Sequence, residues 1–210
     1  MARAKTFSTP KDPPRKQVLM LSCMDLRLID NITTFMNAGN LQNRYDQLIY
    51  AGAAMGVRLL STNHCETGYS LPWKSVFFDH LAVAINLLHR EIKDIYLIEH
   101  HDCGAYKVLH PDEKVRKAYK EQSEISMESL EEFHRVEAYG LADEITTFCQ
   151  QQQDTAKAEA AATLKGIKTG KIKPEVGYKK IFELEDHQEI WKGIQVSCFI
   201  MDLEGNAKRL

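Results

Sequence analysis

The sequence predicts a single α/β domain with a mostly parallel central sheet, flanking helices and a C-terminal antiparallel edge strand. Three observations predict it. Short apolar runs alternate with longer segments of helical spacing, the order that builds a parallel sheet with helical crossovers. The runs are continuous, as in strands buried on both faces, and do not alternate with polar residues. A Leu203-Glu204-Gly205-Asn206 turn near the end separates two short strand segments, which reads as a hairpin.

Along the chain, residues 1–16 are basic, contain Pro10, Pro13 and Pro14, and predict a flexible arm ahead of one domain over 17–210. Residues 17–22 (QVLMLS) predict a buried strand that stops at a Cys-x-Asp turn. Ile29, Ile32, Phe35 and Met36 follow at helical spacing, closed by Ala38-Gly39-Asn40. Residues 48–50 (LIY) form a second strand before Ala51-Gly52. Residues 61–72 have loop composition, and 73–90 a helix that is apolar around much of its circumference. The third strand, 94–99 (DIYLIE), runs directly into His100-His101-Asp102-Cys103-Gly104. Residues 111–132 are dense in charge and predict a solvated excursion outside the core. Helical composition follows over 133–153 and 154–164, then a surface connection over 165–178. A last apolar strand spans 194–201 (IQVSCFIM), with 207–210 pairing back on it.

Composition narrows the function classes. The 210 residues are 44% hydrophobic and 27% charged, with a formal net charge of -2. That balance carries no basic footprint for nucleic acid or for an anionic membrane surface. No apolar run approaches the roughly 20 residues of a membrane-spanning helix. The N-terminus lacks the apolar segment of a secretory signal. Five cysteines at irregular spacing do not form a disulfide framework, so the expected compartment is reducing and cytoplasmic. Cysteines there are metal ligands, nucleophiles or buried hydrophobes. Cys149 and Cys198 are expected in the core, as are Met20, Met24, Met36 and Met55.

Two motifs carry chemistry: Cys23-Met24-Asp25-Leu26-Arg27 and His100-His101-Asp102-Cys103-Gly104. Both lie at the C-terminal ends of predicted strands, the edge where open α/β sheets bind ligands. Two thiolates and an imidazole suit a tetrahedral, borderline-soft ion, zinc above all. Cys23, His100 and Cys103 are three ligands, which leaves one position open, the pattern of a catalytic zinc site. The guanidinium of Arg27, two residues on, can grip the Asp25 carboxylate at two points. The alternative for that pair is a structural ion pair capping the helix that begins near Asp30.

On these residues the chain resembles the β-class carbonic anhydrases. The matching stretches are Ser22 through Asp30, Ala51-Gly52-Ala53, His100 through Ala105, and the closing strand and hairpin with Met201-Asp202 and Gly205. The first motif is most similar to the short, archaeal-type branch. The resemblance implies zinc on Cys23, His100 and Cys103, Asp25 and Arg27 as a catalytic dyad, and a pocket including Gly52, Ala53 and Gly104. It implies reversible hydration of carbon dioxide to bicarbonate, in a homodimer or a multiple of dimers. Three positions depart from the family pattern. Leu26 replaces a small polar residue, Ala53 an asparagine, and Glu99 the glycine that commonly precedes the zinc histidine. Two other readings therefore stay open: a hydrolase for carbon disulfide or carbonyl sulfide on the same scaffold, and a non-catalytic zinc-holding protein.

Overall fold

The computed structural model describes residues 17–60 and 71–210. The expected arm over 1–16 and most of the 61–72 loop, with His64 and Cys65, lie outside the described residues. Strand β1 (Gln17–Cys23) leads through a 3-10 turn (Leu26–Leu28) into helix α1 (Ile29–Ala38). Strand β2 (Tyr45–Tyr50) and helix α2 (Ala53–Leu59) follow, then α3 (Trp73–Asn86) and β3 (Ile92–His100). Helices α4 (Gly104–Val108), α5 (Glu113–Lys120), α6 (Met127–Lys168) and α7 (Pro174–Gly193) precede β4 (Gln195–Met201) and β5 (Ala207–Arg209).

The strands lie side by side in the order β2-β1-β3-β4-β5. The β1–β2, β1–β3 and β3–β4 pairs are parallel, and β4–β5 is antiparallel. From β1 the chain first goes outward to β2, then crosses back to β3 on the other side. The strand order thus reverses between β1 and β3, and the C-terminal ends of these two neighbours flank the crevice. Their register places Ser22 opposite Ile98, so Cys23 and His100 end adjacent strands at nearly the same height.

Both central strands are covered on both faces. Val18, Leu19, Met20 and Leu21 of β1 and Ile95, Leu97 and Ile98 of β3 are at most 1% exposed. The non-alternating apolar runs were the correct signal for this burial. Cys149, Cys198, Met20, Met36 and Met55 join the core as expected. Met24 does not: it is 64% exposed, because it lies in the turn after β1.

Three segments differ from the expectation. Residues 111–132 are not wholly solvated: α5 buries Val115, Ala118 and Tyr119, an i, i+3, i+4 stripe hidden among the five charged residues of the helix. The two helices expected over 133–164 are one continuous α6 of 42 residues, about 63 Å at 1.5 Å per residue. Strand β3, with nine residues, spans about 30 Å. Helix α6 therefore outruns the sheet, and α7 packs along it as an antiparallel partner. The surface connection shrinks to the turn around Gly170, because Pro174 starts α7 at its first turn, where a missing N–H costs nothing. Helix α2 ties onto α6 through Arg58, which ion-pairs with both Glu137 and Glu144.

Candidate metal centre

At the crevice between β1 and β3 the three predicted ligands converge. The Cys23 and Cys103 sulfurs and a ring nitrogen of His100 all lie within 4.8 Å of one another. All three residues are buried. Strand β1 delivers Cys23 as its last residue and β3 delivers His100 as its last. Asp102 then turns the chain at φ +54, bringing Cys103 back toward the strand end as the N-cap of α4. The 80 positions between the cysteines vanish because β1 and β3 are neighbours.

The residues fit a tetrahedral ion. The two sulfurs are 3.8 Å apart. Two Zn–S bonds of roughly 2.3 Å at the tetrahedral angle require about 3.8 Å. Nδ1 of His100 is bonded to the carbonyl of His101 at 2.8 Å. As the donor in that contact, Nδ1 carries the proton and Nε2 is left as the free lone pair. This is how a metal-bound histidine is usually held by its outer partner. Among the described residues the buried Nε2 has no hydrogen-bond partner, which a neutral apolar site would not tolerate cheaply.

Electrostatics agree with the donor set. The hydrogen bond with Cys103 pulls the Cys23 thiol down, burial opposes it, and His100 assists. Cys103 is pushed up by the same bond and by burial. Burial lowers His100, but the nearby Cys23 sulfur outweighs it and the net direction is upward. Between themselves the two sulfurs thus favour one thiolate beside one thiol. A bound cation reverses this logic and holds both sulfurs deprotonated. The N–H of Gly52 also donates to Cys23 Sγ at 3.3 Å.

Asp25 and Arg27 stand at the rim. Arg27 donates through Nε to Asp25 Oδ1 at 2.9 Å and through Nη2 to Oδ2 at 2.6 Å. The same guanidinium reaches Asp102, at Oδ2 (2.9 Å) and at the carbonyl (3.2 Å). It therefore ties the turn after β1 to the turn between His100 and Cys103. The Arg27 hydrogen bond holds the Asp25 carboxyl at about 2 against an ordinary 3.8. Asp25 also caps the short 3-10 turn by accepting from the Arg27 N–H at 3.0 Å, so the structural and the chemical duties coexist.

A cavity of about 310 Å³ opens beside the cluster, lined by Cys23, Met24, Asp25, Ala51, Gly104, Ala105, Val108 and Leu109. Of the three expected pocket residues, Gly104 lines it. Gly52 and Ala53 are not among the lining residues, and Ala53 is fully buried. Sequence reasoning did not single out Val108 and Leu109, although both follow Cys103 by one to two helical turns. Leu26 is 80% exposed and is not among the lining residues, so it does not make this pocket apolar. His101 bonds Glu131 at 3.3 Å, and burial lowers its ring.

No protein-family model matches the chain. An uncharacterized protein of Rickettsia bellii is 29% identical over 103 residues, 49% of this chain and 57% of the relative. Another, from Rickettsia conorii, is 30% identical over 103 residues, 49% of this chain and 50% of the relative. The chain thus spans about half the length of the curated relatives it matches. Among solved structures, the β-carbonic anhydrase CafA of Aspergillus fumigatus overlaps with a TM-score of 0.37 at 12% identity, covering 93% of this chain and 75% of that one. A tetrameric β-carbonic anhydrase of Sordaria macrospora gives 0.36 at 13% identity, covering 93% and 80%. Among the described residues, no helix is long and apolar enough to cross a membrane.

Proposed function

We propose that this chain is a zinc enzyme that interconverts carbon dioxide and bicarbonate, a carbonic anhydrase of the β-class type. One observation carries the reading: Cys23, His100 and Cys103 converge with tetrahedral spacing beside a cavity whose rim holds the Asp25–Arg27 pair. Three protein donors leave a coordination position for water or substrate, as catalytic zinc sites do. When bound, zinc supplies Lewis acidity toward water near neutral pH.

The chain's own residues account for the rest. His100 and the two cysteines would hold the ion. Ala51, Ala105, Val108 and Leu109 wall the cavity with apolar surface, which accepts a small linear molecule without hydrogen-bond donors. Asp25, kept ionised by Arg27, can only accept hydrogen bonds, so it orients a water by one of its protons and aims the lone pair at the substrate carbon. Arg27, anchored to Asp102, keeps that carboxylate from rotating away.

The same apolar wall favours a second reading, hydrolysis of carbon disulfide or carbonyl sulfide. Stopped-flow hydration with a pH indicator, on zinc-loaded protein between pH 7 and 9, tests the first reading. A rate no greater than buffer would sink it. Hydrogen sulfide release would then support the second, and stoichiometric zinc with no turnover of any of the three would support a binding role. The reading includes a cytoplasmic homodimer or multiple of dimers. Exposed Met24, Leu26, Ile29 and Val108 near the two ligand turns favour association there. Sedimentation velocity checks it: a monomer at micromolar concentration would refute it.

A further inference from the structure

Directly before the ligand His100, β3 carries Glu99, whose side chain is completely buried. A carboxyl group in that position is costly unless its oxygens are satisfied. Both are. Oε1 accepts the Ala54 N–H at 2.9 Å, and Oε2 bonds His134 Nδ1 at 2.8 Å. His134 lies on α6 and is itself fully buried. Its Nε2 meets the hydroxyl of Tyr119 on α5. Burial pushes the Tyr119 phenol far up, so it keeps its proton and donates to Nε2, while Nδ1–H donates to Glu99. The Tyr106 ring closes over His134 with centroids 4.1 Å apart.

The end of this chain touches the metal centre at a strained point. Gly52 (φ +75) and Ala53 (φ +44) are successive left-handed residues at the start of α2. For alanine that conformation is strained and persists only where the surroundings hold it. Gly52 has no side chain to cap α2, and Glu99 Oε1 takes that place from across the sheet. Two residues before the gripped Ala54 N–H, the Gly52 N–H points at Cys23 Sγ.

We propose that Glu99, His134 and Tyr119 are positioning residues for the metal centre: a buried hydrogen-bonded chain that fixes the Gly52–Ala53 turn and so aims the Gly52 N–H at the Cys23 sulfur. An N–H donated to a ligating thiolate draws charge from the sulfur and leaves the ion more electrophilic. The chain acts from behind β3 and touches no substrate. The inference rests on Cys23, His100 and Cys103 holding the metal, and is independent of which substrate is turned over.

The test uses the full chain reconstituted with cobalt(II), reading the thiolate-to-cobalt charge-transfer band, with zinc affinity from chelator competition. Glu99→Ala removes both acceptors. It is expected to move the band to longer wavelength and to weaken zinc by about 10–100-fold, the usual effect of losing an outer-shell partner. Glu99→Gln keeps an oxygen for Ala54 and is expected to restore the band and most of the affinity. Tyr119→Phe deletes one oxygen from the far end and is expected to shift the band less, in the same direction. A folded Glu99→Ala protein with unchanged band and affinity overturns the proposal, as does Glu99→Gln behaving like Glu99→Ala. Should Glu99→Ala fail to fold, an unchanged band in Tyr119→Phe overturns it. No turnover enters these readings, so a shifted band in a protein inert toward carbon dioxide would sink the proposed reaction and leave this inference standing.

Discussion

Replacing Arg27 by lysine keeps the charge and removes the geometry. The guanidinium makes two bonds to Asp25 and two to Asp102, from 2.6 to 3.2 Å. An ammonium is a point charge and cannot reproduce the planar fork or bridge both groups in that arrangement. Charge-assisted hydrogen bonds contribute roughly 1.5–3 kcal/mol each when desolvated. Arg27 has 42% of its side chain exposed, so solvent screens its bonds and the surviving effect lies at the low end. About 1.4 kcal/mol on the barrier corresponds to a fall in kcat/KM of about 10-fold. Arg27 touches none of the three ligand atoms, so zinc content should stay at one per chain. Stopped-flow hydration and metal analysis on the same preparation measure both. A variant with kcat/KM within twofold of the parent, zinc retained, would refute the role assigned to the clamp.

Removing a ligand should behave oppositely: Cys103→Ala is expected to lose most of its zinc on gel filtration, and retention of a full equivalent would contradict the assigned donor set. The Asp25 carboxyl, depressed from 3.8 to about 2, contributes stability that is complete above pH 3.8 and lost as pH falls toward 2. Carbon-13 NMR of that carboxyl should give a midpoint near 2 in the folded protein, moving up toward 3.8 in Arg27→Lys. Gly52→Ala would drive a Cβ into Met55 Cε and set it 3.2 Å from Ala105 Cβ, at φ +75. A loss of about 1–3 kcal/mol in urea unfolding is expected, and a neutral result would show that the turn relaxes freely. Phe77→Ala, at a site with no exposure, should cost about 3–5 kcal/mol by the same assay.

Much of the candidate site was legible in the sequence. Thiolates and an imidazole at strand ends point to a soft, tetrahedral ion through donor chemistry alone, and an Asp-x-Arg spacing permits a fork. Continuous apolar runs at 17–22 and 94–99 announced the doubly covered strands β1 and β3, because residues buried on both faces leave no polar alternation. Less visible was α5, whose three buried residues sit among charges. Its apolar stripe is real, but composition averaged over 111–132 conceals it. Helix α2 was missed because its seven residues open on Ala53-Ala54, with Gly52 and Ala53 both left-handed, and carry no capping signal of their own.

Other features belong to the tertiary structure. Sequence decides which groups can ligate, ionise or turn the chain, since those are properties of single residues and their near neighbours. It does not decide that Glu99 meets Ala54 and His134, 45 and 35 positions away. Nor does it decide that Arg27 bridges to Asp102, 75 positions away. Those contacts exist because the strand order reverses between β1 and β3, and because α5 and α6 fold back over the sheet. Distance along the chain carries no information about them. The sequence determined which side chains could hold a metal; only the packing decided that a buried carboxyl stands behind one of them.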